Sequence, residues 1–281
     1  MQEWPLIIFT LLIQLSVGST LFTTFTLMYA ADSLNMQEKW RVATPAMLLA
    51  FVAGALGLMV STAHLGYPLN AFYALSHISS SWLSREIVFA SLYLGILGLT
   101  TLIALVSKRI VTSLLLLASF LGLVDLFCMS AIYVHASVVT WMHINTYVMF
   151  YGTALSLGAI AGLWRISRCP WLPWRLARNL AVISGGILIA VTLVRLLEQP
   201  VYIEYLNGVN PYVMTFPHQP MVAFVQSDTL RLIAWVILTL GAGITACSLQ
   251  THRIGRRLLL TGGALVLLAE ILLRFSFFSI Y

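Results

Sequence analysis

Eight runs of apolar residues, each long enough to cross a bilayer, divide the sequence. They lie roughly at 6–30, 43–63, 87–106, 111–133, 146–164, 179–197, 230–250 and 257–280. A hydrocarbon core of about 30 Å needs about 20 helical residues to span it. Lipid offers the backbone no hydrogen-bond partner, so each run is read as a helix. Turn-formers and charges separate them: Asp32-Ser33-Leu34-Asn35, Gly66-Tyr67-Pro68, Cys169-Pro170-Trp171-Leu172-Pro173 and Asn207-Gly208-Val209-Asn210-Pro211. The join at 107–111 is the weakest break, and Lys108-Arg109 makes it a hairpin. The pattern predicts an all-α integral membrane protein: one membrane domain over residues 1–281, built as an eight-helix bundle. It contains no exact repeat and no low-complexity tract.

Composition agrees with this reading. The 281 residues are 60% hydrophobic and only 9% charged, where a soluble domain carries about 25%. The net charge of +6 forms no nucleic-acid patch, because the basic residues sit in short connections. Eleven of the fifteen follow odd-numbered spans: Lys39, Arg41, Lys108, Arg109, Arg165, Arg168, Arg175, Arg178, Arg253, Arg256 and Arg257. Arg85, Arg195, Arg231 and Arg274 lie on the other side, at or inside helix ends. The positive-inside rule then puts the odd connections in the cytoplasm and both termini in the periplasm. The first charge is Glu3, where a cleaved signal needs a basic region, so the first run is expected to stay as a span. Cys128, Cys169 and Cys247 are far apart. Structural zinc and iron–sulfur clusters need grouped thiolates, so these cysteines are expected to be buried and inert, with no metal site.

The two long outer connections, 64–86 and 198–229, are rich in aromatics, prolines and polar groups. They read either as a docking surface or as interfacial loops packed over the bundle. Charges inside a membrane are costly and invite a functional reading. Glu270 and Arg274 are spaced i, i+4 and are expected to form a self-neutralising pair on one helix face. Asp125 lies past the middle of the fourth span with no basic neighbour in sequence; a partner on another helix and a protonated carboxyl both fit. His64 closes the second span at His64-Leu65-Gly66-Tyr67-Pro68. There it can accept a hydrogen bond from a quinol hydroxyl and then take the proton, or serve only as a hydrated interfacial residue. Glu86 opens the third span across one hairpin and can pass a proton outward. None of the six histidines falls deep in a span, so a haem held by paired axial histidines is not expected. His135 and His143 flank the loop between the fourth and fifth spans and are expected to be solvated.

These residues carry a resemblance. Glu3-Trp4-Pro5-Leu6-Ile7-Ile8-Phe9-Thr10 and His64-Leu65-Gly66-Tyr67-Pro68-Leu69-Asn70-Ala71-Phe72 resemble two signatures of the dimethyl sulfoxide reductase anchor-subunit family. Leu83-Ser84-Arg85-Glu86-Ile87 resembles its Leu-Ser-Asn-Glu-Ile, and Ala269-Glu270-Ile271-Leu272-Leu273-Arg274 its Gly-Glu-x-x-x-Arg. Between about 110 and 225 the likeness is one of hydropathy. The sequence departs from the pattern at Asn70, where an arginine is usual, at Tyr67, where a small residue is usual, and at Asp125.

The resemblance implies a menaquinol-oxidising anchor in the inner (cytoplasmic) membrane, with no haem or iron–sulfur cluster of its own. It implies a four-cluster ferredoxin-like iron–sulfur subunit and a molybdopterin catalytic subunit docked on the periplasmic face. The family's quinol-site histidine and glutamate fall on His64 and Glu86, with Tyr67, Asn70, Arg85, Glu270 and Arg274 as further candidates for the quinol pocket. Alternatives are a polysulfide- or nitrite-reductase-type anchor, a di-haem quinol dehydrogenase subunit and a secondary transporter. The transporter would call for inverted repeats and broken helices, which the sequence does not display.

Overall fold

The computed structural model describes residues 4–63, 77–209, 219–249 and 255–279. Eight of its helices are long and apolar enough to cross a membrane: α1 (Trp4–Tyr29), α2 (Met36–Ala63), α3 (Trp82–Ser107), α4 (Thr112–Val134), α5 (Ile144–Ser167), α6 (Trp174–Gly208), α8 (Asp228–Cys247) and α9 (Arg256–Ser279). A short helix, α7 (Pro220–Gln226), precedes α8, and one 3₁₀ turn (Val139–Trp141) lies between α4 and α5. The described residues contain no strand. The even number of spans among the described residues brings the start of α1 and the end of α9 to the same end of the bundle, where the Trp4 ring lies 5.6 Å from that of Phe275.

Helix α1 is the most buried span. It packs on α2, α4, α5 and α9, while α3 pairs with α4, α5 with α6, and α8 with α9. Helix α1 crosses α5 with the two backbones in contact. A Cβ on Gly18 would stand 2.0 Å from the carbonyl oxygen of Ala154, and one on Gly158 would stand 2.5 Å from the backbone of Gly18. In lipid, helices associate by packing rather than by the hydrophobic effect, so small residues at a crossing let the backbones touch.

Several hydroxyls of α1 are satisfied locally. Thr20, Thr23 and Thr24 donate to the carbonyls of Ser16, Ser19 and Thr20, four residues back, so a polar face can sit in an apolar interior. Across the interface, the Tyr93 hydroxyl of α3 meets Ser16 at 2.7 Å and Thr20 at 2.9 Å. The outer surface carries the bulky apolar side chains: Val106, Phe120, Leu197, Leu232 and Leu240 are all exposed. Such an inside-out distribution suits a protein solvated by lipid.

At the end opposite the termini, basic side chains donate to backbone carbonyls at or just past helix ends. Lys39 Nζ donates to Ala31 O at 2.7 Å, and Arg256 donates to Ser167 O through Nε and Nη2. Lys108 turns the α3–α4 hairpin in the left-handed conformation, with φ of 53°. At the terminus-bearing end, α6 runs further than the sequence suggests. The apolar run ends at residue 197, yet the helix continues through Pro200 to Gly208. Residues 198–208 of the expected 198–229 loop are therefore helical, because Tyr202 and Leu206 pack against Ala223 and Phe224 of α7. Tyr202 and Tyr205 also donate to the carbonyls of Thr140 and Val139.

Candidate functional site

His64, Tyr67 and Asn70 lie outside the described residues. Of the other sequence candidates, Glu86 sits in the second turn of α3, whose start is fixed by Ser81 accepting the Ser84 N–H at 3.3 Å. That start is five residues earlier than the hydrophobic run suggests, so Glu86 lies inside the helix, 5% exposed. Its Oε1 has no hydrogen-bond partner, nor has either oxygen of Asp125. Asp125 is fully buried on the neighbouring α4, within electrostatic reach of Glu86, and meets no basic partner among the described residues. Two buried carboxyl groups on one helix pair, with unfilled bonding capacity, are the arrangement expected where water or a hydroxylated ligand enters. Arg85 turns away from Glu86. It donates to Ile78 O and Ser79 O at 2.9 and 2.7 Å and lies 4.2 Å over the Trp82 ring, so it anchors the segment before α3.

Glu270 and Arg274 come together differently from the expected self-neutralising pair. The partner of Glu270 is Arg195 of α6, whose Nη1 and Nη2 donate to Oε1 and Oε2 at 2.6 and 3.0 Å. Both side chains are at most 1% exposed. The i, i+4 spacing allows contact within one helix, but the Arg195 fork meets both carboxylate oxygens at once, which is the stronger arrangement. Thr153 Oγ1 of α5 donates to Glu270 Oε2 at 2.8 Å. Arg274 donates to Gln14 Oε1 of α1 at 2.8 Å and to Thr153 Oγ1 at 3.3 Å, with its guanidinium 3.9 Å over Phe150. One polar network thus ties α1, α5, α6 and α9. Gly152 makes room for it, since a Cβ there would stand 2.5 Å from Arg195 Cδ. Neither Glu86 nor Arg85 bonds to this network.

Arg195 and Gln14 are not among the sequence candidates. Hydropathy places Arg195 at the end of its span. Gln14 is an isolated amide within an apolar run, and that is the signal that could have singled it out. His143 also differs from the solvated residue expected. Its Nδ1 accepts the Asn145 N–H at 3.2 Å, capping α5, and its ring stacks on Tyr205 at 4.7 Å. The same nitrogen lies 3.2 Å from Glu198 Oε1. Because Nδ1 is already an acceptor there, this is a close approach rather than a made hydrogen bond, and Glu198 Oε1 has no partner. Burial lowers the His143 pKa below its ordinary 6.5, which keeps the imidazole neutral as a cap acceptor must be. His135 is exposed, as expected. Cys128 and Cys169 are buried, but Cys247 is exposed, against expectation.

The fold and these buried groups define a polytopic helical membrane protein with an internal ion network and, near the terminus-bearing end, two buried carboxyl groups with oxygens that accept no hydrogen bond. Residues 1–279 match the model of the DMSO reductase anchor subunit (DmsC) family, and the protein belongs to that family. It is 29% identical over 294 residues to the YnfH subunit of anaerobic dimethyl sulfoxide reductase from Escherichia coli K12, an alignment covering 100% of this protein and 95% of that one. It is 30% identical over 164 residues to the C subunit of anaerobic dimethyl sulfoxide reductase from Haemophilus influenzae, covering 55% of each. It is also 30% identical over 165 residues to the corresponding C subunit from Escherichia coli K12, covering 57% of this protein and 56% of that one. The protein is therefore a multi-pass inner-membrane anchor subunit of the DMSO reductase type.

Proposed function

We propose that this protein oxidises menaquinol at the terminus-bearing end of the bundle and hands the electrons to a docked iron–sulfur subunit. That subunit in turn serves a molybdopterin catalytic subunit. The charge asymmetry of the connections supports a periplasmic position for this end. The observation that carries the reading is the buried Glu86, with an oxygen free to accept a hydrogen bond, just inside a helix that follows the segment holding His64. Quinol oxidation releases two electrons and two protons and leaves quinone. His64 accepts the hydrogen bond of one hydroxyl and takes its proton, and Glu86 passes protons outward. The electrons leave to the partner, since this reading gives the anchor no redox centre of its own. Electrons and protons exit on the same side, so the step itself builds no membrane potential.

The length of α6 supports the docking half of the proposal. Its 35 residues make a helix of about 52 Å at ~1.5 Å per residue, roughly 20 Å more than the hydrocarbon needs. Exposed Val201, Ile203, Val222 and Val225 line this extension and α7, giving a partner an apolar surface to cover. In the assembled complex, His64→Ala and Glu86→Gln are each expected to lose most quinol-driven reduction while an artificial dye still drives turnover. Undiminished quinol-linked turnover in both variants would refute the assignment.

A further inference from the structure

A cavity of about 330 Å³ opens at the basic end, between α1, α2 and α5. It lies at the opposite end from Glu86 and plays no part in the quinol reading. Its walls are mainly apolar, with buried Phe22 of α1 on one side and Trp164 of α5 on another. Pro45 and Leu49 of α2 are exposed along its edge, so it opens sideways, where the acyl chains of a bilayer would lie. The volume falls at the lower end of the ~300–1,000 Å³ of ordinary ligand pockets. Ser19 is among the lining residues, and its Oγ has no hydrogen-bond partner although the residue is only 3% exposed.

Two guanidiniums stand at its rim, Arg165 and Arg168. Neither is paired with a carboxylate among the described residues. Arg168 is exposed and lies over the Trp164 ring at 4.9 Å. Arg165 is held by the backbone. Proline has no N–H, so Pro45 leaves the carbonyl of Arg41, four residues back, without its helical donor. Arg165 supplies it: Nη2 donates to Arg41 O, and Nε donates to Val42 O at 2.9 Å. The Pro45 break and the Arg165 contact together keep a cation fixed at the mouth of an apolar slot.

We propose that this slot binds an anionic phospholipid of the bilayer, with one acyl chain between α1, α2 and α5 and the phosphate against Arg165 and Arg168. The charge complementarity is that of basic pockets between transmembrane helices that take lipid headgroups, and guanidinium is well shaped for phosphate. A zwitterionic lipid offers the same phosphate but brings a quaternary ammonium beside it, which offsets its attraction to the two rim cations. An isoprenoid quinone would fill the slot but not the rim.

The test uses the full purified protein in detergent, titrated with phosphatidylglycerol and, separately, phosphatidylcholine, with binding read by native mass spectrometry. Arg168→Gln removes a rim charge without touching the Pro45 contact, and Ala46→Phe fills the slot. Melting curves without added lipid establish that both variants fold. Wild type is expected to prefer phosphatidylglycerol, Arg168→Gln to lose about fivefold of that affinity, as about one basic contact is worth near a membrane surface, and Ala46→Phe to lose binding. Equal binding of the two lipids by wild type, or unchanged phosphatidylglycerol binding by both folded variants, would overturn the proposal. So would an isoprenoid quinone occupying the slot in place of phospholipid.

Discussion

The network around Glu270 predicts an asymmetry between its two natural mutations. Arg195, Arg274 and Glu270 together bring two guanidiniums and one carboxylate into a region almost without solvent exposure. Arg195→Gln removes one cation and leaves Glu270 with Arg274, so the charges balance. Its loss is two charge-assisted hydrogen bonds, at 2.6 and 3.0 Å, one of which the glutamine amide can replace, which sets the cost at about 1.5–3 kcal/mol. Glu270→Gln instead leaves two guanidiniums close together with no anion. Removing one partner of a buried pair costs about 3–5 kcal/mol, and this variant falls at the upper end, because Arg274 loses its counter-charge at the same time. At about 2–4 °C per kcal/mol for a protein of this size, Glu270→Gln should lower the melting temperature by roughly 10 °C or more, and Arg195→Gln by well under that. The assay is thermal unfolding of the purified protein in one detergent, followed by tryptophan fluorescence. Equal losses, or a larger loss for Arg195→Gln, would show that the pair is local and that Arg274 does not share the carboxylate.

Two further outcomes follow from contacts elsewhere. Gly18→Leu should separate α1 from α5, because even a Cβ at Gly18 meets the Ala154 carbonyl at 2.0 Å; the protein should insert but fail to give a monodisperse folded peak on size exclusion, and a wild-type profile would refute the backbone contact. The His143 cap gives a pH dependence. Its pKa is lowered in the folded state, so the unfolded state binds the proton first. The stability is fully present above about pH 6.5 and declines as the pH falls from there toward the lower folded value. His143→Asn keeps a cap acceptor without titrating there, so its melting temperature should fall less than that of wild type on acidification over this window, and parallel curves would remove His143 from the account.

The spans are legible in the sequence because lipid imposes one rule on every one of them: an apolar run of about 20 residues must be helical. Their number and order can be read without knowing any contact. The partners of the polar groups cannot. Hydropathy is a property of single positions, whereas Arg274 meets Gln14, 260 residues away in sequence, only because α1 and α9 pack together. The i, i+4 spacing of Glu270 and Arg274 offers a local answer, and a helix on the far side of the network overrides it.

The unexpected partner of Glu270 and the extended end of α6 both come from packing between helices, which hydropathy does not register. A helix that stopped at Pro200 would leave Arg195 near the end of its span, where a charged side chain reaches water and needs no partner. With α6 continuing to Gly208, Arg195 lies well inside the helix and is 0% exposed, so it must find an anion. Glu270 is the carboxylate within reach. A proline removes one helical hydrogen bond, but packing of the following turns can outweigh that loss, here through Tyr202 and Leu206 against α7 and two tyrosine bonds to the α4–α5 connection. The aromatic residues that suggest a docking loop in the sequence are thus the ones that prolong the helix, while the arginine is buried where α6 packs against Gly152 of α5 and Glu270 of α9.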